Sequence, residues 1–127
     1  MLQFRHRRIP ILFCAKAHAH SLFTCEHQML EVIEAIGTGL AIQPTYNFTI
    51  GQDVYNLVHI ASGTALTRDT TPTLISAAMW LQRILPLLDW TLPHEALKPR
   101  TDIAYQVHWT WVEVIHKYNA LVSGRKV

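Results

Sequence analysis

The arrangement of apolar and polar positions is most distinctive between Thr71 and Trp90, TPTLISAAMWLQRILPLLDW. Leu74, Ala78, Leu81, Leu85 and Leu88 form one stripe at helical spacing, and Ala77, Trp80, Ile84 and Leu87 form a second beside it. Ser76, Met79 and Arg83 occupy the remaining side. Two apolar faces call for packing partners on two sides, as in the middle helix of a bundle. Thr71 offers an N-cap and Pro72 fits the first helical position. Pro86 should kink or end the helix near Leu85, because it removes a backbone hydrogen bond and crowds the preceding turn. Gln82, Arg83 and Pro86 interrupt the stretch too early for a membrane span, which needs roughly 18 apolar residues.

The same spacing arguments predict three further helices. Met29, Leu30, Ile33 and Ile36 make a stripe between Thr24, a candidate cap, and the glycines Gly37 and Gly39. Residues 40–48 then read as a connector through Pro44. Thr49 and Gln52 fit a capping box, opening a helix to about Ser62 that buries Val54, Leu57, Val58 and Ala61, with Gly63 as its stop. Residues 91–100 read as a loop between Pro93 and Pro99, with room for one turn at His94 to Leu97. The last helix is the clearest. Thr101 caps it, Asp102 follows in its first turn, and Ile103, Val107, Trp111, Val114, Ile115, Tyr118 and Leu121 form a continuous stripe. Gly124 ends it, and Arg125 and Lys126 suit its C-terminal dipole.

The expected fold is therefore all-α: a compact bundle of four to five helices near 25–37, 50–63, 72–89 and 101–122, preceded by an N-terminal element. Residues 1–24 are set apart as a basic arm or first element, short helix or strand, from a bundle domain at 25–127. The alternation of Ala, Lys and His over Ala15 to His20 permits a strand, while the alanines favour a helix, toward which the reading leans.

Composition adds bounds. With 127 residues the chain is one domain, long enough to bury a core unaided. Half the residues are hydrophobic and 16% are charged, which excludes a disordered chain and suggests apolar surface for a partner to cover. Two cysteines are too few for a disulfide scaffold, so reduced thiols in a cytoplasmic protein are expected. The net charge of +2 is uneven: Arg5, Arg7, Arg8 and Lys16 precede the first acid, and all nine acidic residues lie beyond Cys25. A basic, acid-free start also imitates a secretory or mitochondrial targeting segment over residues 1–25.

Candidate chemistry is sparse. Cys14, His18, His20, Cys25 and His27 are zinc-type ligands, since zinc takes thiolate and imidazole donors, but their spacing matches no standard finger. Glu113 and His116 have the Glu-x-x-His spacing of di-iron bundles, which require two such pairs. No Gly-x-Ser-x-Gly elbow and no glycine-rich phosphate loop occurs. His59 and His108 lie on or near apolar faces, where a lone histidine is ordinarily a hydrogen-bonded core residue. Asn47-Phe48-Thr49 has the glycosylation pattern, meaningful only on secretion. A helix-turn-helix over 50–89 would present a recognition helix whose one cation is Arg83.

Three functions follow as expectations. The first is a non-enzymatic protein-interaction or regulatory module, a homo-oligomer or a subunit of a larger assembly, contacting its partner through Trp109, Trp90 and Met79. Trp111 falls on the buried stripe, whereas Trp109 is rotated away from it, either an interface residue or a boundary tryptophan lying against its own bundle. The second is nucleic-acid association through Arg5, Arg7, Arg8 and Lys16, which would release counterions from phosphates. The third is a small zinc-binding protein using the His/Cys group.

Overall fold

The structure, a computed structural model, describes residues 2–16, 23–93 and 101–122. It is a mixed α/β domain, and this corrects the all-α bundle. Strands β1 (Phe4–Lys16), β2 (Phe23–Ala35), β3 (Leu40–Asn47), β4 (Gln52–His59) and β5 (Thr64–Ala65) form one antiparallel sheet in sequential order. Helix α1 (Leu74–Ile84) follows, runs into a 3-10 turn at Leu85–Leu87, and is succeeded by α2 (Thr101–Val122).

The helices expected near 25–37 and 50–63 are strands, and so is the N-terminal element. Through β2 and just beyond it, Met29, Leu30, Val32, Ile33 and Ile36 all fall on one side at helical spacing, so the stripe does not separate helix from strand. As a strand, β2 buries Val32 beside Ile9, while Ile33 and Ala35 face the other way. In β4, Leu57 and Val58 are adjacent and both fully buried, on opposite faces. Burial on both faces erases the alternation that marks a strand. The supposed capping box at Thr49 and Gln52 belongs to a hairpin turn. Asn47 Oδ1 accepts from the backbone N–H groups of Thr49 and Ile50 at 2.9 and 3.3 Å, and Gly51 takes a positive φ of 68°. The connector over 40–48 is β3, whose Leu40 and Ile42 face the helices while Ala41 faces away.

The sheet curls. The Leu12 N–H donates to the Gly63 carbonyl at 2.9 Å, so β1 meets the turn after β4. Gly63 has φ 69°, and a Cβ there would overlap the Pro10 carbonyl. Inside the curl lies a small core of Ile9, Ile11, Val32, Ala41 and Val58. On the outer side a larger core joins Ala35, Leu40, Ile42 and Leu57 to Trp80, Leu81 and Ile84 of α1 and to Ile103, Val107 and Val114 of α2. Thus α1 touches β3 and β4 on one side and α2 on the other. The central helix does have two packing partners, although one of them is a sheet.

Its start also shifts. The N-cap is Thr73, not Thr71: Thr73 Oγ1 accepts from Ser76 N–H and Ser76 Oγ from Thr73 N–H, both at 3.2 Å. Pro86 lies in the 3-10 turn and closes α1 near Leu85, as the sequence predicts. The span of α2 agrees with the predicted 101–122. The possible turn at His94 to Leu97 and the C-terminal residues Gly124, Arg125 and Lys126 lie outside the described residues. No helix among the described residues is long and apolar enough to cross a membrane.

Candidate functional site on the outer face of the last helix

Helix α2 is held to the body by its inner face and by a strap, residues 66–71, that follows β5. Ile103, Val107 and Val114 are buried, and the Val107 carbonyl accepts from Trp80 Nε1 at 3.1 Å. On one flank, His108 Nδ1 donates to Asp69 Oδ2 at 2.9 Å, and the same oxygen accepts from Thr67 Oγ1 at 2.9 Å. Trp111 Nε1 donates to the Thr70 carbonyl at 2.9 Å, and its ring stacks on His108 with centroids 5.6 Å apart. On the other flank, Arg83 reaches Glu113 at 3.2 Å, an exposed ion pair contributing little stability.

These attachments fix which side of α2 faces outward. At about 100° per residue, Asp102, Tyr105, Trp109, Val112 and His116 fall on one line, opposite the buried positions. Trp109 is 56% exposed and Tyr105, one turn earlier, is 69% exposed. Among the described residues the ring contact of Trp109 is edge-on, with His108. The line follows i, i+3, i+7, i+10, i+14, the alternating three-and-four spacing of a helix-pairing seam. Tyr105 was not singled out in the sequence; its position four residues before Trp109 was the signal available.

The other expected contact residues behave differently. Met79 is half-buried in a shallow groove between α1 and α2, alongside Gln82, Arg83, Val114 and Lys117. Trp90 is 4% exposed, and its Nε1 donates to the Ile84 carbonyl at 3.1 Å. It is a core residue closing the end of α1, with almost no surface to offer a partner.

The basic N-terminal group is divided by the strand geometry. Arg5 and Arg7 alternate with Arg8, which puts Arg8 on the opposite sheet face. Arg5 Nε and an Arg7 terminal nitrogen both donate to Glu34, at 2.8 and 3.0 Å, and Glu34 is only 5% exposed. Arg8 lies 3.5 Å from the Met29 carbonyl. The side chain of Lys16 lies outside the described part of the structure. Two of the four cations thus share one buried carboxylate, and the four do not make a single patch.

The zinc set is also changed. Cys25 is disulfide-bonded, and Cys14, the chain's other cysteine, is its Cα partner in the β1–β2 register. That corrects the expected reduced thiols and removes the Cys25 thiolate from a metal site. His27 is exposed on β2, and His18 and His20 lie outside the described residues. Among the described residues no group of three or more metal-type side chains converges.

Both singled-out histidines are tied by hydrogen bonds. His59 is 2% exposed; Nε2 donates to the Leu92 carbonyl at 2.8 Å, which leaves Nδ1 to accept from Ser62 Oγ at 2.9 Å. The arrangement resembles an oriented base beside a hydroxyl, but it is enclosed, and it fastens the end of β4 to the loop after α1. His108 instead holds α2 to the strap. Glu113 and His116 are both exposed on α2, consistent with a surface pair.

No protein-family model, curated protein or solved structure matches the chain.

Proposed function

We propose that this protein is a non-enzymatic interaction module that docks through the outer face of α2. The observation that carries the reading is the exposure of Trp109 and Tyr105 on one line of the helix, directly opposite its core face. Tryptophan and tyrosine bury a large area on binding while losing few rotamers, which is why they dominate interface energetics. Elsewhere the aromatic indoles of this chain are used inward: Trp80, Trp90 and Trp111 all donate to backbone carbonyls of the domain. Trp109 differs from them in place and in surroundings.

Hydroxyl-radical footprinting tests this reading. Oxidation of Trp109 and Tyr105 should slow when the protein is concentrated or mixed with its partner. Phe48, 88% exposed in the β3–β4 turn, serves as the internal control and should be oxidised at an unchanged rate. If Trp109 is oxidised equally fast in isolation and in the assembled state, the face is not the docking surface.

A further inference from the structure

We infer that the β1–β2 hairpin carries a zinc site, built from Cys14, Cys25 and His27, that forms only when its disulfide is reduced. The register brings these residues together. Cys14 is the Cα partner of Cys25, and Leu12 is the partner of His27. Directly paired residues of an antiparallel ladder share a face, and so do residues two apart on one strand. Cys14, Cys25 and His27 therefore occupy adjacent positions on one face of the hairpin. Paired positions have Cβ atoms about 5 Å apart, and His27 follows Cys25 by about 6.7 Å along β2. Zinc, with bonds of about 2.3 Å to sulfur and about 2.0 Å to imidazole nitrogen, spans a triangle of that size.

The place of the group in the fold leaves it open to reagents. β2 pairs with β3 at Ile33 and Glu34, so the Cys25 end of β2 lies well beyond that pairing. On β1, the Leu12 bond to the Gly63 carbonyl comes two residues before Cys14. Cys25 and His27 are both exposed.

The bridge decides whether the metal can bind. Cys25 is disulfide-bonded and Cys14 is the chain's other cysteine, whereas zinc takes thiolates. A dithiol reductant supplies the change. One of its thiolates attacks a sulfur of the bridge to give a mixed disulfide, and its second thiol closes on the first to release the protein. Two electrons pass to the protein, the reductant leaves as its own disulfide, and Cys14 and Cys25 become thiols. Zinc then displaces one proton from each thiol and takes the His27 imidazole nitrogen, with water in the fourth position. The zinc ion undergoes no redox change, so the switch lies in the sulfurs. Bridge and metal exclude each other, and either one fastens β1 to β2 near the Lys16–Phe23 end of the ladder.

Titration of the full chain with zinc against a chromophoric chelator, before and after treatment with a phosphine reductant, tests the site. The oxidised protein should take no zinc from the chelator, and the reduced protein should bind one ion per chain. Cobalt(II) in place of zinc should show thiolate charge-transfer absorption and the intense visible bands of four-coordination. His27→Ala keeps both cysteines and should weaken binding at least about tenfold, since losing a ligand costs no less than losing a group that orients one. His6→Ala removes an imidazole from the same face near the other end of β1 and should change nothing. Circular dichroism checks that each variant is folded, and alkylation with mass measurement checks the state of the cysteines. An oxidised protein that binds zinc as tightly as the reduced one overturns the gating. A reduced protein that binds none overturns the site. One zinc shared by two chains overturns the single-hairpin geometry, and unchanged affinity in His27→Ala overturns the three-residue set.

Discussion

Gly39 shows how a single residue can be fixed by the backbone around it. Its φ is 86°, and a Cβ would run into the Trp90 carbonyl and the Thr91 nitrogen. Gly39→Ala should therefore cost about 3 kcal/mol in denaturant unfolding, combining backbone strain with overlap against a main chain that cannot turn aside. Glu34 is the second residue of this kind. Its carboxylate is buried while its arginine partners are half-exposed, so they rehydrate readily once it is gone. Glu34→Ala should lower stability by about 1 kcal/mol, and the loss should shrink in high salt. At Asp89 the side-chain hydroxyl of Thr91, at 2.6 Å, and its backbone N–H, at 3.1 Å, hold the carboxyl pKa below its ordinary value. A depressed folded pKa contributes stability above the unfolded value of about 3.9 and loses it as pH falls through the folded one. Asp89→Asn should thus differ from wild type at neutral pH and converge with it in acid, as followed by thermal unfolding across pH.

At the scale of elements, the helices were legible and the strands were not. Both helices carry long apolar stripes, Pro86 ends α1 where expected, and α2 matched its expected span. In α1 the error was two residues at the start, because both Thr71 and Thr73 can cap and only Thr73 has Ser76 three positions on. Thr73→Ala should cost about 1 kcal/mol, measured by thermal or denaturant unfolding, through loss of that reciprocal cap. The strands failed for a physical reason. Met29, Leu30, Val32, Ile33 and Ile36 fit a period of 3.6, while as a strand they divide between two faces, and strand pairing is decided by partners distant in sequence. Gly37 and Gly39 do take positive φ, but they end no helix; they shape the turn between β2 and β3.

At the scale of the molecule, the sheet curls around one small core and presents its outer side to α1, which in turn carries α2. This order leaves α2 as the outermost layer and Trp109 on its far side. The exceptional position of Trp109 could be anticipated from its rotation off the apolar stripe, whereas Trp90 could not be recognised as a core residue without the loop that folds it back onto α1. The Arg5, Arg7 and Arg8 group looked continuous in the sequence, and the two-residue period of β1 divided it between faces. Fluorescence quenching by acrylamide addresses the central claim most directly, because Trp80 and Trp90 are buried and the most accessible indole is that of Trp109. The account predicts that the quenchable fraction falls when the protein is concentrated or mixed with its partner and that this fall disappears in Trp109→Asp. A wild-type quenchable fraction that stays constant in both cases would contradict docking through this face.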